Sequence, residues 1–416
     1  MVEVGKFTLE SLTTGMYSDP RIVYREYIQN SVDSIENAVA EGLMSNEDAY
    51  IKVFIDAENG CISIIDNGKG ISVARATNVL LSIGKSTKRQ DANRGFRGIG
   101  RLGGLSYCER LSFTTSVQGE DVATRIIFDC KLLKSLLSPD HEEELDLQSV
   151  IERITEVEEI DADKDDHFFR VDMDEVDSSS ELLDLDEIKQ YLSEVAPVPY
   201  DERHFVVAPE IKRFLNEHDY TLTEFKIFIG YDEDHLKQVH KPNRYRFRSD
   251  RNQRTEDVIT EVVTFSIDLD STSSLLGWYG RCNWNGTLSD NGLLGMRMRL
   301  GNILIGDRRT MDVMFKEPRF NGWVQGEIFV NTTGLIPNAR RDDFEQNEVY
   351  YQMIEKLKAR VGDVITREIR EASKTRNNPD ARLLREVTRV TEKVDKMVDE
   401  GLYSQKDKEQ ICDVTA

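Results

Sequence analysis

No stretch of about 18 consecutive apolar residues occurs in the sequence, so it offers no membrane-spanning helix, and its first residues, MVEVGKFTLE, lack the apolar centre of a signal peptide. A cytoplasmic address with no membrane partner is the expectation. The five cysteines, Cys61, Cys108, Cys130, Cys282 and Cys412, form no CxxC pair and no cysteine–histidine pair at ligand spacing. That argues against a zinc site and against a disulfide framework, and leaves reduced, mostly buried thiols as the simple reading. Nor does any period of roughly 20 to 50 residues recur, which excludes a solenoid or propeller.

At 416 residues the chain exceeds what one compact core organises, which implies two or three domains. Its formal net charge of -22 is unevenly placed. Acidic and basic residues number 17 and 16 over 1–137, 27 and 7 over 138–223, and 32 and 31 over the remainder. The excess therefore sits in the middle segment, 7 minus 27 or -20, where it would repel a phosphate backbone. The near-neutral flanks leave nucleic-acid binding open.

The run from Arg21 to Glu41 carries apolar or small residues at helical spacing (Ile22, Tyr24, Ile28, Val32, Ile35, Val39), and YIKVFID and CISIID have the β-branched density of strands joined through Glu58-Asn59-Gly60. RLSFTTSV and VATRIIFD form another expected strand pair. Residues 1–137 are thus expected to be one mixed α/β domain. The acid-rich stretch from Ser138 to about Asp166 is expected to be a solvated loop or surface helix at a domain boundary, within a linker segment 138–223 that begins the next domain and includes a strand HFFRVDM and a helix LDLDEIKQYLSEV. Residues 224–345, with EFKIFIGY, EVVTFSIDL, LLGWYGRCNW, MRMRLGNILIG and GEIFVN, are expected to build a sheet-based second domain, and 346–416 a helical C-terminal segment broken at NNPD.

Three clusters carry chemistry. Glu26, Asn30 and Asp33 recur at i, i+4 and i+7, so a carboxylate, a carboxamide and a second carboxylate share one helix face. One Asn oxygen with phosphate oxygens and water suits magnesium, and a neighbouring Glu could orient or deprotonate a water; a solvated polar face would look the same. Asp66-Asn67-Gly68-Lys69-Gly70 follows the strand CISII directly. Its aspartate could accept from the exocyclic amine of adenine while Gly68 and Gly70 admit a flat base, although Asp-Asn-Gly is also a favoured tight turn. Gly95-Phe96-Arg97-Gly98-Ile99-Gly100 then runs into LGGLSY. A glycine-rich loop opening a helix presents backbone N–H groups to phosphates, as would any flexible loop presenting the same glycines, and Lys85 and Ser86 just before it add a cation and a hydroxyl.

In their order and spacing, REYIQNSVDSI, IIDNGKG and GFRGIG resemble the N-box, the adenine-binding DxGxG motif and the phosphate-binding GxxGxG motif of the GHKL superfamily, which includes gyrase, Hsp90, sensor histidine kinases and MutL. The resemblance implies an α+β fold: an N-terminal Bergerat α/β sandwich, a ribosomal-S5-like α/β middle domain and a helical tail. It implies ATP and Mg2+ as ligands, Glu26 as the water-activating group, Asn30 as the magnesium ligand and Asp66 as the adenine reader. Asp33 lies on the same face, Lys85 and Ser86 near the phosphates, and Gly95, Gly98, Ile99 and Gly100 in the lid-side loop, within a lid from about Leu80 to Gly103. Thr124, in ATRIIF, is similar to a strand threonine that holds the base through water in Hsp90-type proteins.

All six histidines lie beyond residue 140, and only 25 residues precede Glu26, which speaks against a sensor kinase. GEIFVNTTGLIPNARRDDFEQN resembles the Hsp90 middle-domain segment L-P-x-N-x-x-R, with Leu335 and Asn338 as anchors and Arg341 as the arginine that reaches the γ-phosphate. Pro337 stands one place later than in that family, so Arg340 and Arg341 both stay open. Gyrase and MutL use a lysine from this domain, for which Lys316 is the one candidate. The expected activity is slow ATP hydrolysis in a nucleotide-gated clamp, homodimeric by family likeness, acting on protein clients or partner subunits. The alternative is a DNA-associated clamp similar to MutL or MORC, for which Arg297, Arg299, Arg308, Arg309, Arg340 and Arg341 would supply a basic channel. No Hsp90-type C-terminal dimerisation domain is recognisable.

Overall fold

The computed structural model describes residues 19–82, 100–138, 143, 145–249, 255–270, 273–332, 334–338 and 340–377, with 387 and 391. Lys85, Ser86, Gly95, Gly98 and Ile99 lie outside the described residues, as does almost all of the helical segment expected after NNPD.

The amphipathic run folds as α1 (Ile22–Ala40), which buries Val23, Tyr24, Tyr27, Ile28, Val32, Ile35 and Ala38. Each larger apolar side chain buried this way contributes about 1.5–3 kcal/mol, which fixes the polar side of the helix in one direction. β1 (Ile51–Asp56) and β2 (Cys61–Asp66) form the expected hairpin. After α2 (Val73–Leu81) and a 3-10 turn at Gly100–Ser106, β3 (Arg110–Ser116) and β4 (Val122–Asp129) form the second hairpin. α3 (Cys130–Leu137) and α4 (Leu147–Ile154) lead to β5 (Thr155–Asp161) and β6 (Phe168–Asp174). α5 (Leu185–Val195) and α6 (Ala208–Glu217) precede the short β7 (Ile227–Gly230) and β8 (Lys237–Gln238).

These eight strands form one sheet in the order β5-β4-β3-β6-β2-β1-β7-β8. The boundary expected after residue 137 therefore falls inside the sheet: the acidic segment supplies its edge strand β5 and its central strand β6, which pairs with both β2 and β3. EFKIFIGY likewise does not open the second domain, because its strand β7 lies parallel to β1. Charge on β5 misleads because Glu156 and Glu159 are solvent-facing on an edge strand, where acidic residues also discourage further strand pairing.

Beyond the hairpin of β9 (Arg246–Ser249) and β10 (Thr255–Val258), a second sheet has the order β11-β12-β15-β13-β14. Its strands are β11 (Glu261–Asp268), β12 (Ser274–Arg281), β13 (Gly295–Leu300), β14 (Ile303–Leu304) and β15 (Gln325–Asn331), with β13 parallel to β15. α7 (Glu348–Leu357), a π turn at Lys358–Gly362 and α8 (Asp363–Asn377) follow. Tyr350, Met353, Leu357, Val361, Ile365 and Ile369 join the apolar core of this sheet, so residues 348–377 are part of the second body and not a separate tail. The architecture is α+β.

Candidate active site

The site forms where the polar side of α1 meets the end of β2. Glu26 and Asn30 are partly enclosed and Asp33 is buried, one above another along the helix. A Cβ on Gly100 would collide with the Glu26 carboxylate, so the backbone entering the 3-10 turn touches this group directly. The turn is fastened to α1 by Tyr27, whose hydroxyl donates to Arg101 O at 3.1 Å and accepts from Gly104 N at 3.1 Å. Arg101 in turn donates to Leu80 O at 3.2 Å and to Ser82 O, tying together the two ends that flank residues 83–99.

Asp66 closes β2 with 1% exposure. Its Oδ1 accepts from Gly68 N at 2.9 Å, whereas Oδ2 is buried without a partner. Burial pushes its pKa up to about 7 against the pull of Ser31, Gly68 N–H and Ser34. An unsatisfied buried oxygen costs on the order of 1–3 kcal/mol, which a donor such as an exocyclic amine would recover. Gly68 fits against α1 so closely that a Cβ would strike Ser34 and Ile35 N. At Gly70, with φ +68, it would strike Ser116 O, so both glycines are required by contact and Gly70 also by conformation. An oxygen awaiting a donor beside a glycine-lined backbone fits a flat amino-bearing base.

The loop after Asp66 is anchored from several elements. Asn67 Oδ1 accepts from Tyr50 N at 2.8 Å, Lys69 N donates to Ser34 O at 3.2 Å, and Ile71 N donates to Thr115 Oγ1 at 2.8 Å. His167, at the head of β6, places Nδ1 2.9 Å from Gly68 O. Register sets Asp66 opposite Phe169, Phe169 opposite Thr115, and Thr115 opposite Thr124. Thr124 is thus three strands from Asp66, about 14 Å at ordinary strand spacing. It is buried but is not beside Asp66, and Phe169 occupies the adjacent place.

The opposite wall comes from the second body. Arg341 Nε stands 3.7 Å from Glu26 Oε1, with side chains 11% and 12% exposed. Arg340 is exposed, so of the two arginines left open by sequence it is Arg341 that meets Glu26. Arg341 adopts φ +55, a left-handed conformation that costs a non-glycine residue about 1 kcal/mol or more. The turn is held by Arg341 N donating to Asn338 O at 3.1 Å and by Gly306 N donating to Arg341 O at 2.9 Å. Arg25, 5% exposed, donates to Arg340 O at 2.7 Å and to Arg341 O at 3.4 Å. Neither Arg25 nor His167 stands out in the sequence, because each acts through a backbone carbonyl supplied by a remote segment.

The remaining expectations separate. Leu335 is buried in the second core, and Asn338 donates to the Asp342 carboxylate at 2.5 Å. Lys316 pairs with Asp363 at 3.4 Å on the surface. Arg297 and Arg299 are 1% and 0% exposed on β13, so they cannot line a basic channel. Among the described residues no cluster of three or more His, Cys, Asp or Glu side chains forms a metal cage.

The sequence model described as histidine kinase-, DNA gyrase B-, and HSP90-like ATPase matches residues 17–162, which run from α1 through β5. The chain is similar to the chaperone protein HtpG of Acinetobacter baylyi, 36% identical over 84 residues, or 19% of this chain and 13% of the relative. HtpG of Nitrosomonas europaea is 30% identical over 129 residues, 27% of this chain and 20% of the relative. HtpG of Rickettsia rickettsii is 28% identical over 137 residues, 29% and 22% respectively. The chain thus spans about a fifth or less of the length of the curated relatives it matches. Over residues 17–162, which carry this site, the chain is thus similar to GHKL ATPases and, among them, to the Hsp90-like chaperone HtpG.

Proposed function

We propose that the protein is a slow, magnesium-dependent ATPase that works as a nucleotide-gated clamp on protein clients or partner subunits, as a homodimer in the cytoplasm. The observation that carries the reading is the approach of Arg341 to Glu26, because it brings a cation of the second body to the carboxylate of the nucleotide domain. In the proposed cycle Asp66 Oδ2 accepts from the adenine amine, Asn30 holds magnesium, and Glu26 orients a water toward the γ-phosphate. Magnesium supplies neutralisation of the phosphate charge when bound. Arg341 exchanges Glu26 for the γ-phosphate, where a guanidinium pairs with two oxygens and stabilises charge developing in the transfer. Docking of one body on the other, and not the chemistry, then limits the rate. Lys85, Ser86, Gly95, Gly98 and Ile99 belong to the proposed lid, and Asp33 supports the site from the next helical turn.

The test is steady-state ATP hydrolysis with magnesium, comparing wild type with Glu26→Ala while nucleotide binding is followed calorimetrically. Retained binding with turnover reduced at least about 100-fold is expected for loss of a water-activating base. Unchanged turnover would remove the catalytic role of Glu26 and leave a nucleotide sensor.

A further inference from the structure

We propose that His167 is a positioning residue of the nucleotide site, one that makes the site selective for a base bearing an exocyclic amine. The inference rests on the reading of Asp66 as the base acceptor and adds to it a residue from outside the three motifs. His167 immediately precedes β6, in which Phe169 is the register partner of Asp66. Its Nδ1 is 2.9 Å from Gly68 O, a contact in which the ring nitrogen carries the proton and donates, since a carbonyl can only accept.

Gly68 is the residue whose N–H occupies Asp66 Oδ1. With its carbonyl held by His167 and its α-carbon pressed on Ser34 and Ile35, both of its polar atoms are engaged and its dihedrals are fixed. The consequence is a division of labour on the carboxylate: Oδ1 is taken by Gly68 N, and Oδ2, buried and without a hydrogen-bond partner, is left to accept from a ligand. If the Gly68 carbonyl is released, the glycine regains freedom, its N–H no longer holds Oδ1 in place, and the carboxylate can turn. The neighbouring loop atoms are anchored independently through Asn67, Lys69 and Ile71, so the loop itself persists without His167. His167 therefore governs the orientation of one acceptor, which is a matter of base selectivity more than of stability.

The experiment uses the full chain and measures magnesium-dependent binding of ATP and of inosine triphosphate, whose base carries an oxygen where adenine carries the amine. The proteins compared are wild type, His167→Phe, which keeps a ring without the donor, and His167→Asn, whose amide N–H can reach the same carbonyl; melting temperatures are recorded for each. Wild type is expected to prefer ATP. His167→Phe should lose about tenfold in ATP affinity, the effect of one displaced hydrogen bond, with little change for inosine triphosphate, and His167→Asn should restore most of the preference. Wild-type affinity and selectivity in His167→Phe would overturn the proposal. So would an equal loss for both nucleotides with a lowered melting temperature, which marks a merely structural residue. A wild type that binds neither nucleotide would instead overturn the reading of Asp66 on which the proposal stands.

Discussion

Asp66 has to leave water almost completely and still keep one oxygen for a ligand, and its proton equilibrium shows the cost. With its pKa raised from 3.8 to about 7 by burial, the folded protein holds a proton between those values that the unfolded chain releases. Fold stability contributed by this group is therefore lost as pH rises from about 4 to 7. The ionised carboxylate is the form that accepts an amine, so nucleotide affinity moves the opposite way. We predict that ATP binds about tenfold more tightly at pH 8 than at pH 6, measured by calorimetry with magnesium, and that Asp66→Asn removes this dependence along with most of the affinity. A flat pH profile in wild type would mean that Asp66 is ionised before the nucleotide arrives. At this scale the placement of Glu26 on a helix face and of Asp66, Gly68 and Gly70 at the end of a strand is legible in the sequence, since each is a short-range pattern of residue types. Arg25, His167 and Phe169 are not: what they do depends on carbonyls or strand partners about 100 to 300 positions away. Thr124, singled out by its likeness to a strand threonine of Hsp90-type proteins, stands three strands from Asp66 in the sheet order.

Among the elements, α1 and the first two hairpins follow from periodicity and turn residues alone. β5 does not, because TEVEEID pairs on one edge only and gains little from apolar alternation, and its place in the sheet is set by β4. β7 is apolar and reads as a strand, yet nothing local says that it pairs parallel to β1, a contact that must cross the whole intervening chain. The loop between β2 and α2 offers the sharper test of how elements make the site. Gly70 combines φ +68 with contact against Ser116 O and Phe168 O at the ends of β3 and β6. Gly70→Ala is expected to destabilise the fold by about 2 kcal/mol or more in urea titration and to abolish nucleotide binding. A change under about 0.5 kcal/mol would show that the loop relaxes away from those strands.

For the molecule as a whole, the connection between its two sheets is ionic as well as apolar. Glu327 on β15 accepts from Lys241 Nζ at 3.0 and 3.1 Å and also from Tyr200 and Arg299, all four residues being buried. Arg299 reaches further, donating to Glu194 O on α5 at 3.0 Å, and α5 lies against α1. The arginines of β13 that looked like a nucleic-acid surface are thus the inner fastening of the second body. Burial lowers the Lys241 pKa to about 7, with Arg299 adding to the effect and Glu327 opposing it. Removing the carboxylate would leave buried cations uncompensated, so Glu327→Ala is expected to cost about 3–5 kcal/mol of stability by chemical denaturation. A near-neutral effect would mean that Lys241 gives up its proton without penalty.

We propose that with the second body fastened in this way Arg341 is held at Glu26 and the two bodies complete one catalytic site. Single-turnover ATP hydrolysis by Arg341→Ala, Glu26→Ala and the double variant, at nucleotide concentrations that saturate each, decides the matter. Residues that act as a unit are strongly non-additive, so each single variant is expected to bind ATP but lose nearly all turnover, and the double variant to be no slower than Glu26→Ala. Wild-type turnover in Arg341→Ala would contradict it, and would place the whole of catalysis within the nucleotide domain.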